Sequence, residues 1–232
     1  MSKKANGKKV AKKNKKGYTL GEEIFSAIVH GVGGLLGIAA LVLLIVFSAK
    51  HNGTALDIIG VTIFGTSLII LYTMSALYHA ITNEKAKKVL QIFDHCSIYL
   101  LIAGTFTPIV FSLLRNSSPI SWIVFGFVWL AAILGIALYT IFPGRFKVLN
   151  VMSYALMGWS SVFLMPSLIS ALKSLDCIAS IYWLIIGGVC YTVGIIFYAL
   201  KKIKYFHSIW HIFVLAGSIC HFFTVLLYTL NL

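Results

Sequence analysis

Three histidines, an aspartate and a serine in this 232-residue chain have the types and spacing for metal-assisted chemistry. His207 and His211 are four residues apart, so on a helix their imidazoles share a face. H-x-x-x-H is the spacing by which one helix offers two nitrogens to zinc. His79 supplies a third imidazole. Three histidine ligands leave a fourth position open, as in catalytic zinc sites, where that position takes water or substrate. Asp94 is placed to accept a proton from such a water. Ser75 lies four residues before His79, on the same helical face. Its hydroxyl can bond the water, a substrate carbonyl or a developing oxyanion.

Each of these residues alone has a plainer reading. H-x-x-x-H recurs by chance in helices. A serine in an apolar helix commonly back-bonds to a carbonyl. Asp94 at the start of a helix can cap it, and His79 at a membrane interface can simply be hydrated. Only their conjunction carries the metal reading, and that depends on the elements that position them.

Those elements are membrane-spanning helices. The chain is 59% hydrophobic and 11% charged, against roughly 45–50% and about 25% in soluble domains. One soluble core of this size cannot hide that surplus, and lipid can. Seven runs are long and apolar enough to span a bilayer, at 24–47, 57–79, 93–114, 121–142, 148–170, 177–200 and 206–230. The first run is too long for a signal-peptide core and lacks a small-x-small cleavage site, so it is expected to stay in the membrane. The expected architecture is all-α: a basic, disordered tail at 1–19, then a seven-helix transmembrane domain at 20–232.

The net charge of +13 is concentrated, not spread. Eight lysines fall in the first 17 positions. A tail of this composition is attracted to anionic lipid head groups or sets topology, so nucleic acid is not the expected partner. Tail, second break (83–91), fourth break (143–147) and sixth break (201–205) hold sixteen of the 19 Lys and Arg residues; the opposite set holds Lys50, Arg115 and Lys173. The positive-inside rule then puts the N-terminus in the cytoplasm and the C-terminus outside. His79 and Asp94 each end or begin a span on the cytoplasmic side, as do His207 and His211. Residues from helices two, three and seven so meet at one depth near the inner leaflet.

The remaining residues are quieter. Gly33, Gly34, Gly37, Gly187, Gly188 and Gly194 let helices approach closely. The four cysteines show no close pairing and read as small buried hydrophobes. His221 lies about 15 Å beyond His211 along the helix, too deep for the same metal, and reads as a polar tether. His30 reads equally as a partner of a metal ligand or as a packing residue. His95, next to Asp94, faces elsewhere.

The segments E-E-I-F-S-A-I-V-H-G-V-G (22–33), S-A-L-Y-H (75–79), F-D-H-C-S-I-Y-L-L-I-A-G-T-F-T-P (93–108) and H-S-I-W-H-I-F-V-L-A-G-S-I-C-H-F-F (207–223) resemble the haemolysin III family. That family is related to the progestin and adiponectin receptors and, more distantly, to alkaline ceramidases. The resemblance covers about residues 20 to 230. It implies seven helices, a cytoplasmic N-terminus and one zinc held by His79, His207 and His211. It also implies that Asp94 handles the water at that site, that Ser75 is the family's shared serine, and that lipid amides are the substrate class. The outer loops are short, so a hormone-receptor role is not expected.

Three functions follow. The first is a zinc-dependent hydrolase of lipid-like amide or ester bonds at the inner leaflet of the cell membrane, with Asp94 as base and Ser75 assisting. The second is a membrane-lytic protein. The third is a lipid sensor with a structural zinc. Membrane lipids and a lipid-like small molecule are the expected partners.

Overall fold

The computed structural model describes residues 18–200 and 203–232. Residues 1–17, nearly all of the basic tail, lie outside the described residues, as do Lys201 and Lys202 of the sixth break. Seven helices are long and apolar enough to cross a membrane: α1 Leu20–Lys50, α2 Ala55–Ala80, α3 Glu84–Leu114, α4 Pro119–Ile141, α5 Lys147–Ser174, α6 Ala179–Ala199 and α7 Phe206–Thr229. Among the described residues there is no strand. We call the end of the bundle that carries Tyr18 and the 81–83 turn the basal end.

Local sequence explains where the helices start. Thr19 and Glu22 form a capping box on α1, and Thr54 with Asp57 does the same for α2. Ser118 caps α4 ahead of Pro119, whose fixed φ suits a first helical position. Two spans depart from α-helical geometry internally. α3 runs through Pro108 into a wide π-helical turn over Ile109–Leu114. α5 tightens to 3-10 geometry at Ser160–Leu164 just ahead of Pro166. A missing N–H and ring clash at Pro166 account for the 3-10 segment ahead of it.

The third span differs from the sequence expectation. It begins at Glu84, nine residues before Phe93. Asn83 caps it, its side-chain oxygen accepting from the N–H groups of Lys85 and Ala86 at 3.0 and 3.1 Å. Apolar content marks only the part of a helix that needs lipid, so composition assigns these polar first turns to a loop. Asp94 is therefore ten residues inside a helix and does not cap it.

Packing sets the register of the site. Gly60 lies against Pro108 and Gly104 against Ser67, which runs α2 and α3 antiparallel and levels Asp94 with the Ser75 turn. Asp94 thus lies opposite the last turns of α2, which carry Ser75 and His79. α1 and α7 run parallel, with Ser26 Oγ 3.2 Å from Ser208 Oγ. α2 opposes α7, and the Tyr72 hydroxyl donates to Ser218 Oγ at 2.6 Å.

The outer surface is apolar, with Leu35, Val148 and Phe163 each about 70% exposed. The inside holds Leu44, Phe64, Tyr99, Leu114 and Tyr228, all fully buried. This is a bundle solvated by lipid. Of the glycines singled out above, Gly188 faces open space and has no packing role.

Gly33 is different. A Cβ there would stand 2.5 Å from the buried Tyr72 ring, whereas one at Gly31 meets nothing within 4 Å. Gly33→Ala is expected to lower stability by about 1–3 kcal/mol through overpacking. Gly31→Ala, on the same helix, should leave the thermal midpoint unchanged or slightly raised. Melts of both variants in one detergent check the contrast.

Candidate metal centre

Six buried ionisable residues meet at the basal end: Glu22, Glu23, His30, His79, His207 and His211. His79, near the C-terminus of α2, and His207 and His211, in the first two turns of α7, are all buried. Their ligand nitrogens all lie within 4.8 Å of one another. His207 and His211 share a helix face, and their Nε2 atoms are 3.1 Å apart.

Two nitrogens bound to one tetrahedral zinc at ~2.0–2.1 Å stand ~3.3 Å apart. The observed spacing is close to that value. Without a metal, a proton must sit between these two atoms, because facing lone pairs repel.

His79 makes the stronger case. Its Nδ1 lies 2.7 Å from Glu23 Oε2. A carboxylate can only accept, so Nδ1 carries the hydrogen, and in the neutral ring Nε2 presents its lone pair. That Nε2 is buried and has no hydrogen-bond partner. A buried, unsatisfied nitrogen beside two further imidazoles is what a metal ligand looks like without its metal. The carboxylate behind it is the usual support for such a ligand. The residues present therefore fit a zinc.

His211 has its own support. Its Nδ1 lies 2.8 Å from His30 Nε2. His30 is therefore a hydrogen-bond partner of a cluster histidine as well as a buried residue. His221 stays apart, edge-on to Tyr191 at 5.2 Å, in the notch left by Gly187.

Asp94 and Ser75 are both buried at the same level. Asp94 is not part of the three-histidine group. Its Oδ2 is 3.5 Å from His95 Nδ1, so His95 reaches back toward its neighbour while its ring stacks on Tyr139. Ser75 Oγ has no hydrogen-bond partner. Ser67 and Ser97 bond to carbonyls of their own helices, and Ser75 does not. Ser48, Ser112, Ser121 and Ser180 share its unsatisfied state elsewhere. Its place on the His79 face gives it meaning.

Three residues had no role assigned from the sequence. Glu23 is one, and its signal is the buried stripe Glu22, Glu23, Ser26, His30, Gly33, Gly37, which keeps helical period through polar and apolar positions alike. Glu22 is the second. It accepts from Thr19 with one oxygen and, at 2.7 Å, from the N–H of Tyr205 with the other. Tyr205 holds a left-handed φ of 66° just ahead of α7, so Glu22 ties the start of α7, and with it His207, to α1. Tyr18 is the third. Composition places it in the tail, but its ring stacks on His207 at 4.5 Å and covers the basal side of the centre. Burial, aided by Tyr198 and the carboxylates Glu23, Glu22 and Asp94, pushes its phenol well above the ordinary range.

Behind His79, a cavity of about 290 Å³ lies between α1 and α2, lined by Leu20, Glu23, Ile24, Ile28, His79 and Lys87 among others.

Comparison with known proteins places this architecture. The "Haemolysin-III related" family model matches residues 18–222. The "Hemolysin-3 homolog" of Bacillus subtilis (strain 168) is 44% identical over 211 residues, which is 91% of this chain and 96% of the relative. "Hemolysin-3" of Bacillus cereus is 41% identical over 209 residues, 90% of this chain and 92% of the relative. The human "Monocyte to macrophage differentiation factor" is 27% identical over 173 residues, 70% of this chain and 67% of the relative. With seven spanning helices, a buried three-histidine cluster and a match over most of its length, the chain belongs to the haemolysin III family of multi-pass membrane proteins.

Proposed function

We propose that the protein is a zinc-dependent hydrolase of amide or ester bonds in lipid-like substrates, with its basal end at the cytoplasmic face of the cell membrane. One observation carries this reading. His79, fixed by Glu23, turns an unsatisfied Nε2 toward His207 and His211, one turn from the unsatisfied hydroxyl of Ser75. A purely structural metal needs no idle hydroxyl and no separate carboxylate. The excess of lysine and arginine in the basal breaks supports the orientation.

His79, His207 and His211 hold the zinc. Bound there, it supplies Lewis acidity, which acidifies a water and polarises a carbonyl. The protein supplies the rest. Asp94 takes a proton from the attacking water as its oxygen bonds to the carbonyl carbon. Ser75 donates a hydrogen bond to the carbonyl oxygen as it gains charge. Asp94 then returns the proton to the leaving nitrogen or oxygen as the C–N or C–O bond breaks. Tyr18 over His207 shields the centre from the aqueous side, which strengthens each of these interactions.

The test is a panel of N-acyl and O-acyl lipids offered to the protein in nanodiscs, with product acids followed by mass spectrometry. Release of fatty acid that stops with a zinc chelator and returns with added zinc is the expected result. Zinc held without turnover of any substrate would support a sensor with a structural metal. The names of the bacterial relatives point instead to lysis. Dye release of defined size cut-off from pure liposomes by the purified protein would establish that reading over the hydrolase.

A further inference from the structure

The ion pair behind the cluster extends one residue further than the metal reading requires. Lys87, one turn into α3, is 12% exposed at its side chain, while Lys85 and Lys88 beside it are exposed. Its Nζ lies 3.0 Å from Glu23 Oε1 and 3.4 Å from the carbonyl oxygen of Ile81. The same ammonium sits over the Tyr78 ring at 5.1 Å. Glu23 spends its other oxygen, Oε2, on His79 Nδ1 at 2.7 Å. Three helices thus meet in one line of contacts, from Lys87 on α3 through Glu23 on α1 to His79 on α2.

We infer that Lys87 is a positioning residue for the metal, acting through Glu23 on the orientation of the His79 imidazole. The inference rests on the metal reading above.

The physical reason is geometric. A glutamate side chain has three rotatable bonds, and a single acceptor bond to His79 would leave the carboxylate free to swing. Lys87 draws the second oxygen toward itself as an ion pair at 3.0 Å, without an aligned hydrogen bond, so charge attraction restrains the carboxylate at its other end. The carboxylate then fixes the imidazole plane and the tautomer, and Nε2 points at one place. Lys87 also gives the carboxylate, itself only 3% exposed, a fixed counter-charge, without which its burial would be costly. Ile81 and Tyr78 hold the lysine itself, and both belong to the same end of α2 as His79. The counter-charge is therefore carried by the segment it helps to orient.

The test is zinc affinity, measured by competition with a chromophoric chelator on purified protein, with a thermal melt of each variant. Glu23→Gln should weaken binding about 10–100-fold, and Lys87→Met about tenfold. Lys87→Arg keeps the charge and should stay within about threefold of wild type. If Lys87 acts only through Glu23, the double variant Glu23→Gln, Lys87→Met binds as Glu23→Gln does. The double variant carries no stranded carboxylate, so it remains informative even where Lys87→Met alone does not fold.

A further loss in the double variant, or an unchanged affinity in a folded Lys87→Met, overturns the relay and leaves the metal site standing. A wild type with no measurable zinc affinity overturns the metal reading itself.

Discussion

Protein carrying alanine at both His207 and His211 is expected to purify without metal, and the wild-type chain is expected to purify with about one zinc per molecule. Both imidazoles belong to the buried cluster, and their Nε2 atoms face each other at 3.1 Å. Removing them leaves His79 alone, and one neutral nitrogen does not hold a zinc against buffer. The change deletes no backbone hydrogen bond, and alanine suits a helix, so the bundle should still form. Elemental analysis of detergent-purified protein, prepared without chelators, gives the stoichiometry directly.

A second readout accompanies it. A ligand that binds only the folded state stabilises by RT ln(1 + [L]/Kd), about 4 kcal/mol at a thousandfold excess over Kd. Chelation should therefore lower the thermal midpoint of the wild type and leave that of the double variant where it is. Metal-free protein in both cases, with no response to added zinc, would leave a polar cluster without a metal and remove the mechanism built on it.

The second large effect falls on Asp94. Asp94→Asn keeps the shape of the side chain and removes its ability to accept a proton. Turnover of whichever lipid amide or ester the panel identifies should drop by about 10²–10⁴-fold. Zinc content should not change, because Asp94 stands outside the three-histidine group. That separation is the diagnostic part. An Asp94→Asn variant that hydrolyses at the wild-type rate is incompatible with Asp94 as the base. One that loses its zinc would make the carboxylate a ligand. Ser75→Ala tests the neighbouring role, with an expected loss of about 10²–10³-fold if the hydroxyl supports the developing oxyanion.

How much of this was legible in advance varies by residue. The three-histidine cluster was legible because its pattern is local: two histidines at helical spacing, and a third at the end of an apolar run. Seven spans were legible because lipid demands about 20 apolar residues from each. The start of α3 was not, since its first turns are polar and form a helix for reasons of capping and propensity that hydropathy does not weigh. That one boundary moved Asp94 from a helix end to a helix interior. Gly188 was over-read because a small residue in a span is necessary for close approach but does not ensure it.

Glu23 and Lys87 mark the limit. In the sequence Glu23 is an acidic residue at the start of the first span and Lys87 one of the basic residues of the second break, and nothing in their local sequence says that they meet. They are brought together by the antiparallel turn at 81–83 and by the lateral packing of α1 on α2. Tyr18 and His207 are joined by the packing of α1 beside α7, over nearly the whole length of the chain. The sequence by itself determined the solvent of this protein, the number of its crossings and which imidazoles are available, because those properties are sums or spacings along one segment. Only the tertiary structure decided which carboxylate backs which imidazole, which hydroxyl stays unsatisfied and which turns of α2 Asp94 lies opposite. Those depend on register between helices, which is set by side-chain packing at contacts distant in the chain.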